Sequence, residues 1–241
     1  MTTTNSSLSG RTLVVTRDFA HPVERVWRCL TEPEHLAPWF PGAVELDLSL
    51  GGRIRFHGEG PEMFGTISEL DPPWVIAYDW GGDLLRWTLS ATELGCRLVL
   101  EHIVADLPGA ASFAAGWTGC LDALDDHLAG RPQMCFDRPS WARRHETFMR
   151  QFRLGAALVE PDGDGWRVRY DRQLTAGPEA VAALLAGTPL AQASLPDGAG
   201  GARLRITAAE ADQPTARALA ATWEQAGDQV AASCLRIAEN A

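Results

Sequence analysis

A 25-residue pattern containing Trp117 returns 106 residues further along, and it constrains the fold of this 241-residue chain more than any other feature. Leu98 to Asp122 aligns without a gap on Leu204 to Asp228, with nine identical positions. The alanine matches carry little weight in an Ala-rich chain. The paired Asp106-x-Pro108 and Asp212-x-Pro214, and the tryptophans Trp117 and Trp223, carry more. A weaker match at an offset of 155 links Arg17, Phe19, Glu24, Val26 and Leu30 to Arg172, Leu174, Glu179, Val181 and Leu185. The two offsets differ by 49 residues. Self-similarity of this kind predicts two related domains, the second keeping the start and end of the first but lacking about 49 residues of its middle. The alternative is chance likeness between two Ala-rich helices that each follow a strand.

Periodicity supplies the elements. Arg11 to Phe19 alternates and is rich in Thr and Val, as a strand does. Pro22 opens a helix with Val23, Val26, Trp27 and Leu30 on its buried stripe. Glu32 to Phe40 is a second short helix. Six strands follow, over Val44–Leu50, Arg53–Gly58, Met63–Leu70, Trp74–Trp80, Leu84–Thr92 and Cys96–Val104, separated by Gly- and Pro-rich turns. Connections this short leave no room for crossover helices, so the sheet is antiparallel. Ala110 to Ala129 is a long helix with Phe113, Trp117, Cys120, Leu121, Leu124 and Leu128 on one face. A twisted sheet of this length curls, and the long helix must cover its concave apolar face.

These residues resemble the START-like, helix-grip (SRPBCC) superfamily, and within it the family named for the activator of the Hsp90 ATPase. The resemblance rests on Pro22-Val23-Glu24-Arg25-Val26-Trp27, Trp39-Phe40, Gly51-Gly52-Arg53-Ile54-Arg55-Phe56, Gly65 to Pro73, Tyr78-Asp79-Trp80 and Gly116-Trp117. It implies an α+β fold, a curled antiparallel sheet around a long C-terminal helix. It also implies a protein that binds lipids, polyketides or other apolar metabolites, some relatives acting as cyclases or dehydratases and one branch giving self-resistance to enediyne antibiotics. The family name points instead to a protein-interaction or chaperone-regulator module.

The expected domains are a disordered tail over 1–10, a helix-grip domain over 11–131, a linker over 132–165 and a truncated repeat over 166–241. In the linker, Ser140 is placed to cap a helix whose stripe is Trp141, His145, Phe148 and Phe152. Its arginines suggest a partner-binding surface or an amphipathic connector. The repeat reads as a strand (Trp166–Leu174), a helix (Pro178–Leu185), two hairpin strands (Leu190–Leu195 and Ala202–Ala208) and a helix (Pro214–Ile237). About three strands are expected to hold no cavity.

Chemistry is sparse. A net charge of −10 argues against a nucleic-acid surface. No apolar run reaches the roughly 18 residues of a membrane span. The N-terminus lacks the features of a signal peptide, and the five cysteines form no CxxC pair, so reduced thiols in a cytoplasm are expected. The six histidines have no ligand spacing, so neither metal nor other cofactor is expected. Loop and nucleophile motifs of phosphate-binding and serine-hydrolase sites are missing. Cys29, Cys96 and Cys120 sit at apolar positions. His102 shares a strand face with Leu98 and Leu100, and reads either as a ligand-bonding group or general base, or as a core histidine. Asp79 is the other weak catalytic candidate, with Arg17 of the same kind. Glu59, Glu62 and Asp83 fall at turns and read as solvated. The strongest signal is aromatic. Trp27, Trp39, Phe40, Phe56, Trp80, Trp87, Phe113 and Trp117, with His102, Cys120 and Leu121, either line a ligand cavity or fill the core. The expected partner is a hydrophobic small molecule, with no nucleic acid; a homodimer is a further expectation.

Overall fold

The computed structural model describes residues 4–57, 62–132 and 136–240. It forms two compact units, one of residues up to Leu107 with Gly116–Phe136, the other of Pro108–Ala115 with Asp137–Ala241.

The first unit begins with β1 (Asn5–Ser9), β2 (Thr12–Phe19), α1 (Val23–Thr31) and α2 (Pro33–Leu36). Six strands follow: β3 (Ala43–Leu46), β4 (Arg53–His57), β5 (Met63–Asp71), β6 (Val75–Trp80), β7 (Asp83–Thr92) and β8 (Gly95–Ile103). Helix α3 (Ala110–Leu128) belongs to this unit from Gly116 onward. The eight strands lie in the order β1-β2-β8-β7-β6-β5-β4-β3, every neighbouring pair antiparallel. This is the expected α+β architecture.

One correction concerns the N-terminus. Asn5–Ser9, expected as part of a disordered tail, pairs with Thr12–Thr16 as an edge strand. Its composition hid it because an edge strand is held by backbone hydrogen bonds and need bury little; only Ser6 and Leu8 turn partly inward.

Strand alternation sets the inner face. Leu13, Val15, Arg17 and Phe19 of β2 are buried, as are Leu85, Trp87 and Leu89 of β7 and Cys96, Leu98, Leu100 and His102 of β8. Trp117, Leu121, Leu124 and Leu128 of α3 are buried too. The Arg25 guanidinium of α1 donates to the carbonyl of Leu128 at 2.7 Å. It satisfies one of the orphan carbonyls at the negative end of α3. Gly81 and Gly82, at φ 60° and 93°, form the two-residue turn between Trp80 and Asp83, where both positions need left-handed backbone.

The second unit contains α4 (Arg138–Gln151), β9 (Leu158–Asp162), β10 (Gly165–Gln173), α5 (Pro178–Leu185), β11 (Asp197–Gly198), β12 (Gly201–Glu210) and α6 (Gln213–Glu239). Helix α4 starts two residues before the expected Ser140 cap, and the end of the expected linker is strand β9. The expected strand Leu190–Leu195 is instead a turn with a single bridge, Ser194 to Arg205, followed by the stub β11. The order is β11-β12-β10-β9, again antiparallel. Read from the hairpin edge, β9-β10-β12-β11 reproduces β1-β2-β8-β7. The registers correspond as well: Arg17 stands opposite Leu98, and Arg172 opposite Leu204. These are the residues that the two sequence offsets matched.

Candidate functional site

The aromatic residues of the first unit converge from the turn after α2, β4, β6, β7 and α3, while Trp27 is buried on α1. Trp27, Trp39, Phe40, Phe56, Trp87 and Trp117 are buried, while Trp80 is partly exposed. Trp117 lies 5.3 Å from Trp87, 5.6 Å from Trp80 and 5.8 Å from Phe40, ring centre to ring centre. Trp39 stands edge-on to Trp87 at 5.8 Å, and Phe40 stacks on Phe56 at 6.1 Å. Each of three buried indoles satisfies its N–H: Trp39 on the Cys29 carbonyl, Trp87 on the Tyr78 hydroxyl and Trp117 on Nδ1 of His102. The rings thus occupy the space between sheet and helix at these positions. Leu121 is fully buried beside them. Phe113 is half-buried and belongs to the stretch grouped with the second unit.

His102 faces inward with Leu98 and Leu100, as its strand parity predicted, and is fully buried. Because an indole N–H can only donate, Nδ1 of His102 accepts from Trp117 at 3.1 Å and its hydrogen sits on Nε2. Nε2 then donates to the Asp83 carboxylate at 2.7 Å, whose other oxygen takes the backbone N–H of Ala105 at 2.6 Å. Asp83 is therefore not the solvated turn residue expected. It opens β7 on the inner face, where His102 and Ala105 hold it. Asp79, one residue before Trp80, points to the outer side and is exposed, so the structure does not bring it to His102. Arg17 pairs with Asp122 of α3 at 2.6 Å. Glu62 is an exposed partner of Arg55 at 2.7 Å; Glu59 lies outside the described residues.

Burial pushes the thiols of Cys29 and Cys96 up to about 11 and that of Cys120 up to about 12, so none is a thiolate nucleophile at neutral pH. Glu32, Glu34 and His35 bring ligand atoms within 4.8 Å of one another. Arg28 occupies the same space, bonded to Glu32 through both oxygens and 3.0 Å from Nε2 of His35, which makes the group an ion-pair cluster.

The second unit holds features that sequence reasoning missed. An open cleft of about 510 Å³, lined in part by Glu146, Met149, Arg172, Asp228 and Leu235, lies where no cavity was expected. It forms because α4, expected as linker, packs beside α6 and supplies a wall that the four-stranded sheet lacks. Arg172 bonds Glu146 at 2.8 Å and Asp228 at 2.9 Å. Burial raises the Glu146 carboxyl above its ordinary range. Next to it, Nδ1 of His145 lies 3.0 Å from the Ser112 hydroxyl. Burial pushes this imidazole down to about 4 and Ser112 is itself buried, so the pair is neither basic enough nor accessible enough for nucleophilic catalysis. The signal available in the sequence was the recurrence of Arg17 and Asp122 as Arg172 and Asp228, with the extra carboxylate Glu146 on the amphipathic helix.

The first unit is thus a helix-grip domain with an aromatic interior and a buried Asp–His pair. The family model described as "Activator of Hsp90 ATPase homolog 1-like protein" matches residues 20–129. Residues 20–129 form a domain of this START/SRPBCC-type family, as the resemblance implied. A comparison with curated proteins found no match. Solved structures show the same fold at low identity. A conserved protein of unknown function, EF2215 from Enterococcus faecalis, is 18% identical with a TM-score of 0.52, over 61% of this chain and 89% of that one. The protein encoded by BPP1335 from Bordetella parapertussis is 23% identical with a TM-score of 0.51, over 61% and 90%. CalU16 from Micromonospora echinospora is 21% identical with a TM-score of 0.51, over 63% and 93%. No described helix is long and apolar enough to cross a membrane.

Proposed function

We propose that the first unit binds a hydrophobic small molecule, polyketide-, antibiotic- or lipid-like, in the space its aromatic rings now fill, and that it does so without turnover. The carrying observation is the position of Trp80. It is the partly exposed ring of the set, and it lies over Phe40, His102 and Trp117 at 6.4, 5.8 and 5.6 Å. Swinging Trp80 outward would open a path to a pocket walled by Phe40, Phe56, Trp87 and Trp117, with the His102–Asp83 pair as the polar group that orients a ligand. Apolar walls with a few fixed polar groups are what such sites use. His102 has both ring nitrogens engaged, which argues against a general base and leaves the remaining lone pairs of the Asp83 carboxylate as the group to orient a ligand. The setting proposed is cytoplasmic, in natural-product biosynthesis or self-resistance, and the second unit is a shortened copy that acts as support; the matching strand order and register favour that origin.

Tryptophan emission of the full chain, titrated with dodecanoate, 1-anilinonaphthalene-8-sulfonate and a panel of aromatic polyketides, tests this reading. A saturable change with any of them, lost in Trp117→Leu and strengthened in Trp80→Ala, is the expected result. Emission indifferent to the whole panel overturns it. The close ring packing favours a second reading in that event, a protein-interaction module whose filled core only supports its surface.

A further inference from the structure

The cleft of the second unit carries an inference independent of the first unit. Its buried floor is the group Glu146, Arg172 and Asp228. Arg172 uses Nη1 on Asp228 and Nη2 on Glu146, leaving its Nε–H without an acceptor. Glu146 uses Oε2 on Arg172, leaving Oε1 without a hydrogen bond; Nε2 of His145 lies 3.7 Å from it, too long for one. Glu146 and Arg172 are each only 6% exposed, so one unmet donor and one unmet acceptor lie at the base of one cleft. Buried polar atoms left in this state cost free energy until something meets them. In the first unit the equivalent arginine, Arg17, also leaves Nε unmet, with Asp122 and the Thr4 hydroxyl on its Nη1 and Asp125 at 3.7 Å from its Nη2, so what sets the second unit apart is the buried carboxylate Glu146.

The rest of the cleft limits what can fill it. Met149, Leu154, Ala231 and Leu235 give an apolar wall. The charges lining it balance, with Arg150, Arg153 and Arg172 against Glu146, Glu224 and Asp228. In a lining whose charges balance, neither sign of charge is favoured: a carboxylate head meets only the free donor and an ammonium only the free acceptor. A neutral head that accepts and donates together meets both atoms. The turn over Arg172 has unusual backbone. Arg153 takes φ 55°, the only described non-glycine residue in the left-handed region, and Gly155 takes φ 76°. A Cβ on Gly155 would come within 3.0 Å of Met149 and 3.3 Å of Arg172, so this turn is the cover of the floor.

We propose that this cleft is a second ligand site, for a small amphipathic molecule with a neutral donor-and-acceptor head. A primary carboxamide is the best match: its carbonyl accepts from Nε of Arg172, its N–H donates to Oε1 of Glu146, and its apolar body lies along Met149, Leu154 and Leu235. The volume is that of small-molecule sites in general.

The test is an amide-resonance NMR titration of the full chain with three probes of one length: hexanamide, hexanoate and hexylammonium. Hexanamide is expected to shift residues 149–156 and 228–235 with millimolar affinity, as its size allows, and to bind at least about tenfold tighter than either charged probe. Ala232 is an exposed part of the lining, so Ala232→Trp blocks the cleft without touching the core and should abolish the shifts. Charged probes binding as tightly, or shifts that survive Ala232→Trp, overturn the proposal. So does the absence of any shift up to the solubility of hexanamide, which would leave water as the only occupant.

Discussion

Arg172 meets Asp228 at 2.9 Å, and Arg17 meets Asp122 at 2.6 Å, so each unit ties its long helix to the same strand by the same pair. In both, the arginine is buried and the aspartate is far more exposed: 8% against 71% in the second unit, 5% against 42% in the first. A guanidinium on the inner face of a strand must find an anion, and the helix above the sheet supplies it.

That asymmetry makes a prediction. Arg172→Ala strands the buried Glu146 carboxyl and should cost about 3–5 kcal/mol. Asp228→Ala removes an exposed partner while Glu146 remains, and should cost no more than about 1 kcal/mol. Urea unfolding of the two variants measures both; equal losses would contradict the pairing described.

The Asp83–His102–Trp117 chain gives a second. Asp83→Ala leaves the Nε2–H of His102 buried without an acceptor, at about 1–3 kcal/mol, and releases the N–H of exposed Ala105. His102 should also keep its hydrogen on Nε2 in the native protein, which nitrogen-15 shifts of the ring report directly. A ring protonated on Nδ1 would refute the arrangement.

The third concerns pH. Burial holds His145 down to about 4, against an ordinary value of 6.5. Between those values the unfolded chain takes up a proton there and the folded protein does not. Stability is therefore lost as pH falls through this window, by about 3 kcal/mol in all. Glu146, pushed upward by burial, acts in the opposite sense, losing stability as pH rises above its ordinary range. Comparison with His145→Gln isolates the histidine: the pH dependence of unfolding free energy between pH 7 and 4 should flatten in the variant.

The fourth turns on Trp80. Trp80→Ala removes a ring that seals the aromatic interior from solvent, so 1-anilinonaphthalene-8-sulfonate should bind this variant severalfold more tightly than the parent. Trp87→Ala, which removes a wholly buried ring and the donor to Tyr78, should instead lower stability by about 3–5 kcal/mol. Calorimetry separates the two effects.

Much of the architecture was legible from residue order. The alternation in Thr12–Phe19 and Gly95–Ile103 gave the facing of Arg17, Leu98 and His102, because side-chain direction in a strand has a strict period of two. The 106- and 155-residue offsets matched Leu98 with Leu204 and Arg17 with Arg172, and these pairs stand at equivalent register positions. Less legible were elements that depend on a partner. Asn5–Ser9 has no apolar pattern and becomes a strand only because β2 offers an open edge. Leu158–Asp162 was lost in a linker for the same reason.

The sequence by itself determined the order of the elements, their inward and outward faces and the aromatic character of the first unit's interior, since periodicity, turn residues and composition are local quantities. Only the tertiary structure decided that the rings pack on one another, that Asp83 turns inward to His102, and that Glu146 shares Arg172 with Asp228 beneath a cleft. The physical reason is that the burial of a polar group and the filling of a cavity depend on what packs over them. For His102 and Asp83 the chain supplies that neighbour 19 residues away, and for Arg172 and Asp228 56 residues away.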